Sequence, residues 1–215
     1  MGESDYHKWR WRKTGAVCVD ALKKNGFDAH WAESVQEAKA LCLELAGGSK
    51  TFGFGGSDTT RALGLVEAVK DGAAAVFDHW RPDLSAEDDL KIRRAQLACD
   101  CFVCSANAVS MTGEIVNVDG IGNRTGAMTF GPKKVIVVAG MNKVTPGLHD
   151  ALRRVKEIAA PMRARSLGMK TPCAETGLCT DCSAPQRICR VTTILHRRPM
   201  KTDLSVVLVN ASLGF

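Results

Sequence analysis

The feature that most constrains the fold is an alternation of short apolar segments with helical segments over the first two-thirds of the chain. The segment from Lys134 to Ala139 is the clearest strand, because a short run rich in β-branched residues is typical of a strand buried on both faces. The predicted strands are 27–31, 51–54, 73–77, 101–104, 114–118, 134–139 and 206–209. The predicted helices cover 5–24 and 146–158 and begin near residues 34, 59 and 85. This alternation predicts an α/β fold with a mostly parallel sheet flanked by helices.

Length and charge narrow the class of protein. The chain has 215 residues and no low-complexity linker, so we expect a single domain over 1–215 that needs no disulfides to form its core. The net charge of +6 suits a small anionic molecule, and the basic residues are too scattered to predict a nucleic-acid partner. No apolar stretch is long enough to span a membrane, and the N-terminus lacks the apolar core of a signal peptide. We therefore predict a cytoplasmic protein with no membrane partner.

Four of the nine cysteines crowd into a segment at about 171–190. Cys173, Cys179, Cys182 and Cys189 have the spacing C-x5-C-x2-C-x6-C. Cytosolic thiols stay reduced, and four thiolates this close in sequence are suited to bind a zinc ion or an iron–sulfur cluster. We predict a [4Fe–4S] cluster, with structural zinc as the alternative. Reduced thiols packed as small apolar groups, or disulfides, are the remaining interpretations.

A glycine-rich loop follows the second predicted strand. Gly55, Gly56, Ser57 and Thr59 lie where this strand runs into a helix. Glycine allows the backbone to approach a ligand, and a helix N-terminus offers free N–H groups, so the loop is a candidate site for a small anion. The loop matches neither the P-loop nor the dinucleotide-binding glycine pattern. The alternative is a tight turn in which Ser57 or Asp58 caps the helix.

A second group of polar residues lies among the glycines between 107 and 126. Its candidate ligand-binding residues are Asn107, Thr112, Asp119, Asn123 and Arg124. Polar, glycine-rich loops beside strands are typical of ligand sites. Arg124 is suited to bind a carboxylate or phosphate through two parallel hydrogen bonds, and Glu114 is the candidate catalytic base or nucleophile if it is buried. The alternative is a hairpin whose polar residues are merely solvated.

Several of these segments resemble the LUD (lactate utilisation) domain family. FGGSDT at 54–59, NAVSMTGEIV at 107–116, DGIGNR at 119–124 and GPKKV at 131–135 are similar to family motifs, and the cysteine segment with the closing VLVN and LGF resembles a cysteine-rich branch. The resemblance implies a fold similar to the sugar-phosphate isomerase and CoA-transferase group. It also implies a link to oxidation of lactate to pyruvate beside iron–sulfur partner subunits. Met111 departs from the family, which often has Glu there, so a catalytic role would pass to Glu114.

Three functions are compatible with these observations. The first is a component of lactate or 2-hydroxy-acid oxidation, or of related redox metabolism, that binds a small anion at the glycine-rich loop. The second is an isomerase- or transferase-like enzyme that uses Glu114, by analogy of fold alone. The third is a non-catalytic ligand-binding subunit. A symmetric homo-oligomer is a further expectation, on general grounds only.

Overall fold

The computed structural model describes residues 4–215 as helices packed around two β-sheets. The strands are β1 (Asp28–Ala32), β2 (Thr51–Phe54), β3 (Ala75–Asp78), β4 (Cys101–Ser105), β5 (Ala108–Ser110), β6 (Ile115–Asp119), β7 (Lys134–Gly140), β8 (Val144–Thr145), β9 (Val191–Leu195) and β10 (Asp203–Val209). The helices are α1 (Asp5–Lys24), α2 (Val35–Leu45), α3 (Asp58–Ala62), α4 (Leu65–Lys70), α5 (Ala86–Gln96), α6 (Asn123–Thr129), α7 (Leu148–Arg154), α8 (Ala160–Ser166) and α9 (Pro172–Thr176). None of the helices within residues 4–215 is long and apolar enough to cross a membrane.

Six strands form a parallel sheet in the order β1-β10-β7-β4-β2-β3. The side chains of β7 alternate between the two faces of this sheet. Val135 and Val137 pack in the core that includes α1, whereas Ile136 and Val138 pack in the core that includes α2 and α4. Because helices cover both faces, the strand is apolar at successive positions. The predicted α/β fold with a parallel sheet flanked by helices is confirmed.

Four strands form a smaller, mixed sheet in the order β8-β5-β6-β9. β5 pairs antiparallel with β6, and β6 pairs antiparallel with β9. A separate apolar cluster joins this sheet to α7 and includes Ala108, Val116 and Ala151. Only two residues, Ala106 and Asn107, separate β4 of the large sheet from β5, so the chain passes from one sheet to the other beside the carboxyl end of β4.

The single helix predicted to begin near residue 59 is two helices, α3 and α4. Ser57 caps α3 with its side chain, accepting a hydrogen bond from the Thr60 backbone N–H at 3.3 Å. Gly64 then adopts a φ of +61°, in the left-handed region that favours glycine, and separates α3 from α4. The break keeps α3 short and leaves Thr59 at the carboxyl edge of the parallel sheet, where its hydroxyl contacts Ser105.

The helix predicted over 146–158 begins later and ends later. α7 begins at Leu148, after Gly147, so Pro146 lies before the helix rather than in its first turn. The chain continues from α7 through a π-helical segment at Val155–Ala159 directly into α8. π-helical segments are frequent at functional sites. Here the segment borders a cavity at the edge of the parallel sheet.

Candidate functional site

A cavity of about 80 Å³, here called the strand-end cavity, lies beyond the carboxyl ends of β2 and β4. Ligands of open parallel sheets characteristically bind at this edge, where the loops after neighbouring strands meet. Loops after β2, β4 and β7 all contribute lining residues, as does the π-helical segment. The polar lining residues are Ser57, Asp58, Thr59, Ser105, Asn107, Arg124, Lys143 and Arg163.

Lys143 is the most unusual of these residues, because it is a lysine with only 4% of its surface exposed. Its Nζ donates hydrogen bonds to Thr59 Oγ1 at 2.9 Å and to Ser105 Oγ at 3.0 Å. Burial, together with the charges of two nearby arginines, lowers the pKa of Lys143 to about 7. Near neutral pH this side chain therefore divides between ammonium and neutral amine. Such perturbed groups in cavities are typical of functional sites.

The residues of the glycine-rich loop differ in whether they line the strand-end cavity. The Gly55 N–H donates to the Val103 carbonyl at 2.9 Å, so Gly55 continues the sheet pairing. Gly56 lines the strand-end cavity, and a Cβ atom there would lie 2.5 Å from Nε1 of Trp80. Glycine is therefore required at residue 56 for the loop to pass the indole ring. Ser57 and Thr59 both line the cavity, and Ser57 also caps α3 as the turn interpretation predicted.

Arg124 lines the cavity, but its guanidinium group is already extensively bonded. It donates to Asp119 Oδ1 from Nε at 2.9 Å and from Nη2 at 2.6 Å. Further hydrogen bonds reach the Ser105 carbonyl at 3.2 Å and Asn107 Oδ1 at 3.0 Å. Asp119 also accepts from the Thr125 N–H at 2.9 Å. Asp119 and Arg124 thus connect β4, β6 and the start of α6. Few N–H groups of the Arg124 guanidinium remain free to bind a ligand.

Arg163 connects the strand-end cavity to a second cavity of about 240 Å³, here called the side cavity. Its Nη1 donates to Asp58 Oδ2 at 3.3 Å, and its Cζ lies 4.5 Å from the centroid of the Trp80 ring. Burial lowers the pKa of Arg163. This arginine has one long contact to a carboxylate, whereas charge-assisted hydrogen bonds are usually about 2.7–2.9 Å. Arg163 is therefore better placed than Arg124 to pair with an anionic ligand.

The lining of the side cavity includes the rings of His79 and Trp80 and the side-chain amide of Asn123. Burial lowers the pKa of His79 to about 4, so its imidazole is neutral near physiological pH. The His79 Nδ1 lies 2.9 Å from Gln96 Nε2, and Asn123 Nδ2 donates to Gln96 Oε1 at 3.2 Å. Asn123, which the sequence predicts as a ligand-binding residue, lines this side cavity and not the strand-end cavity.

Glu114 and Thr112 lie in the turn between β5 and β6 and line neither cavity. The Glu114 carboxylate accepts hydrogen bonds from the Thr112 hydroxyl at 2.6 Å and from the Ser110 hydroxyl at a shorter distance. Burial raises the pKa of Glu114, but these two hydroxyl groups lower it more, so the pKa lies below its usual value. Glu114 stabilises the hairpin as a bonded carboxylate. The structure brings it to Thr112 but not to the candidate residues that line the two cavities.

The four cysteines of the 171–190 segment do not form a metal site in the structure. Cys173 lies in α9, and Cys179 is exposed in the loop that follows. Arg187 donates to the backbone carbonyls of Cys182 at 2.6 Å and of Cys189 at 2.9 Å, which links these two residues. Within residues 4–215, no group of three or more His, Cys, Asp or Glu side chains is arranged to bind a metal ion. The iron–sulfur cluster, with zinc as its alternative, stays a prediction from the sequence.

Metal analysis tests that prediction directly. Protein purified without oxygen is expected to contain iron and a visible charge-transfer absorption, or zinc without colour, because thiolates bind both. The variant Cys182→Ser is expected to lose the metal, whereas Cys42→Ala, at a cysteine buried in the core, is expected to retain it. Wild-type protein with neither iron nor zinc would contradict the prediction.

Comparisons with known proteins place the whole architecture in one family. The model of the LUD domain matches residues 16–209. The chain belongs to the LUD domain family. A crystal structure of a DUF162 family protein from Deinococcus radiodurans is similar over 92% of this chain and 97% of that chain, with a TM-score of 0.53 and 15% identity. At that identity the likeness shows the fold alone. No curated protein gave a significant match.

Sequence reasoning missed Lys143 and Arg163. These are the two basic residues of the strand-end cavity in this LUD domain that form no short ion pair with a carboxylate. Lys143 follows the end of β7 by only three residues. A lysine directly after the most apolar predicted strand lies at the carboxyl edge of a parallel sheet, and this position could have drawn attention to it. Arg163 carries no comparable signal, because it is one of several arginines in the helical stretch that includes α7 and α8.

Proposed function

We propose that this LUD domain binds a small carboxylate or phosphate-bearing anion in the strand-end cavity, as a component of lactate or 2-hydroxy-acid oxidation or of related redox metabolism. The excess of buried positive charge at this cavity carries the proposal. Lys143, which lines the cavity, is 4% exposed, and Arg154, which donates to the carbonyl group of the lining residue Asn107, is 7% exposed. Neither forms an ion pair with an Asp or Glu side chain of residues 4–215, and Arg154 Nη1 also donates to the Phe215 backbone oxygen at 3.4 Å. Burying unpaired charge is costly, so such charges are typical of sites that bind a counter-charge.

The carboxylates near the cavity do not neutralise this charge. Asp119 is paired with Arg124, and Asp58 makes one contact of 3.3 Å with Arg163. Arg154 donates to the Asn142 carbonyl at 3.0 Å and to the Asn107 carbonyl at 2.5 Å, and burial lowers its pKa to about 10. Carbonyl groups solvate a guanidinium but do not cancel its charge. An anionic ligand would therefore gain from a positive, water-poor environment.

The isomerase- or transferase-like alternative has less support. It requires Glu114 at the substrate, and Glu114 is bonded within the β5–β6 turn. A fold likeness does not specify a reaction. Anion binding at the strand-end cavity needs no residue from that turn.

Replacing Arg163 with Gln is expected to weaken anion binding by about tenfold to a hundredfold. The change removes a charged hydrogen bond from the cavity, and such bonds contribute about 1.5–3 kcal/mol. Isothermal titration calorimetry with lactate, pyruvate and inorganic phosphate measures the effect. Arg153→Gln is the matched control, because Arg153 has 59% of its side chain exposed and pairs with Asp150 on the surface.

Two results would overturn the proposal. The first is a wild-type protein that binds none of the three anions at millimolar concentration. The second is a loss of affinity as large in Arg153→Gln as in Arg163→Gln, because that pattern would reflect net charge rather than the cavity. Retained affinity in the control, with loss in Arg163→Gln, supports binding in the strand-end cavity.

A further inference from the structure

We propose that the Nζ atom of Lys143 forms an imine with the carbonyl carbon of a 2-oxo acid bound in the strand-end cavity. This inference rests on the anion-binding function proposed above and adds a covalent step and a substrate class to it.

The contacts of Lys143 differ from those of lysines held by ion pairs. Lys91, Lys133 and Lys134 each place Nζ within 2.7–2.8 Å of a carboxylate oxygen. Lys143 Nζ instead contacts two hydroxyl groups, those of Thr59 and Ser105. A carboxylate fixes a lysine in its charged form, whereas a hydroxyl can donate or accept and so accommodates the neutral amine as well. The neutral amine is the nucleophilic form.

The surroundings of Lys143 favour that neutral form. Burial, followed by the charges of Arg154 and Arg124, lowers its pKa to about 7, against opposing effects of Asp58 and Cys104. Desolvation and a second cation are two known ways to activate a lysine for attack on a carbonyl group. Both act here on an amine that lines a cavity large enough for a small ligand.

The cavity also specifies the class of carbonyl compound. Arg163 lines the same cavity as Lys143, and the only carboxylate that it contacts is Asp58 at 3.3 Å, so it is available to a ligand carboxylate. A 2-oxo acid carries its carbonyl carbon next to its carboxylate. With the carboxylate directed to the arginine, the carbonyl remains for the amine in the same small volume. A phosphate ester without a carbonyl would bind but would not react.

The chemistry of the step is balanced without an oxidant or a reductant. The lone pair of the Lys143 amine forms a C–N bond to the carbonyl carbon, and the carbonyl oxygen takes up a proton released from nitrogen. The resulting hydroxyl group then leaves as water, taking a second proton, and a C=N bond remains. The Ser105 and Thr59 hydroxyls contact Nζ and are placed to pass these protons.

Reductive trapping tests the proposal. The whole chain is incubated with pyruvate and sodium borohydride, digested, and mapped by mass spectrometry. We expect the reduced pyruvyl adduct on the peptide that contains Lys143, with at least a tenfold excess over exposed lysines such as Lys133. Inorganic phosphate, which competes for the cavity, is expected to suppress the adduct. Lys143→Met is expected to eliminate it, with circular dichroism to verify folding, and Lys143→Arg serves if the Met variant does not fold.

The outcomes separate this inference from the proposed function. Pyruvate that binds by calorimetry but gives no adduct at Lys143, or gives equal adducts at Lys133, overturns the imine and leaves anion binding intact. If pyruvate does not bind, the imine is overturned, and so is the proposal that the strand-end cavity binds ligands of this class. A phosphate-sensitive adduct confined to Lys143 supports both.

Discussion

Replacing Asp119 with Asn is expected to lower the free energy of unfolding by about 3 kcal/mol. The Asp119 and Arg124 side chains are only 8% and 13% exposed, and their closest N–O distance is 2.6 Å. Removing one partner of a buried ion pair leaves the other charge without compensation, which typically costs about 3–5 kcal/mol. Arg124 keeps its hydrogen bonds to Asn107 Oδ1 and to two backbone carbonyls, so the lower end of that range applies.

Urea denaturation measures the change, with Asp203→Asn as the control. Asp203 pairs with Lys134 at 2.7 Å, but its side chain is 55% exposed, and solvent-exposed pairs contribute less than about 1 kcal/mol. Equal losses in the two variants would show that the burial of the Asp119–Arg124 pair has no special role. A loss confined to Asp119→Asn, with an unchanged dependence on urea concentration, agrees with a local structural role for this pair.

The parallel sheet is predictable from the sequence because its signal is local. Each side of β7 packs against helices, so Val135 to Val138 must all be apolar, and a run of this kind is visible without knowledge of its neighbours. The break at Gly64 is not predictable in the same way. A single glycine in a helical pattern is compatible with a continuous helix, and only its left-handed φ in the folded chain divides α3 from α4.

The composition of the cavity is predictable only in part. Ser57 and Thr59 follow a strand directly, so their place at the carboxyl edge of the sheet can be read from the local pattern. Lys143 contacts Thr59 across 84 residues of sequence, and Arg163 contacts Asp58 across 105. Such contacts depend on the strand order and on the path of the chain through the π-helical segment. No local pattern contains that information.

The turn that contains Glu114 lies apart from polar residues that are close to it in the sequence. Its residues are close in sequence to Asn107 and Arg124, and this proximity predicts one shared site. β5 and β6 instead run antiparallel, which places the turn with Glu114 at the end of the hairpin away from Asn107. A hairpin of a few residues is enough to separate two groups of polar side chains that adjoin in the sequence.

Lys143→Met is expected to raise the free energy of unfolding by about 2–3 kcal/mol at neutral pH, while removing the amine. The pKa of Lys143 falls from 10.5 to about 7 in the folded protein, because of burial first and nearby arginines second. At 1.36 kcal/mol per pKa unit this shift corresponds to roughly 4–5 kcal/mol of destabilisation near pH 7. Loss of the hydrogen bonds to Thr59 and Ser105 offsets about 1 kcal/mol each.

The pH dependence of this difference has a definite sign. Between the folded pKa of about 7 and the unfolded value of 10.5, the unfolded chain binds more protons at Lys143 than the folded chain does. In this window Lys143 therefore makes the free energy of unfolding of the wild-type protein rise with pH, by up to about 1.4 kcal/mol per pH unit. The Met variant lacks this contribution. The advantage of Lys143→Met over wild type is expected to shrink as the pH is raised from about 7 to about 9 in urea denaturation experiments. A constant difference would mean that Lys143 titrates normally in the folded protein. A shrinking difference would mean that the fold retains a destabilising amine at the cavity, as expected of a group kept for binding or reaction rather than for stability.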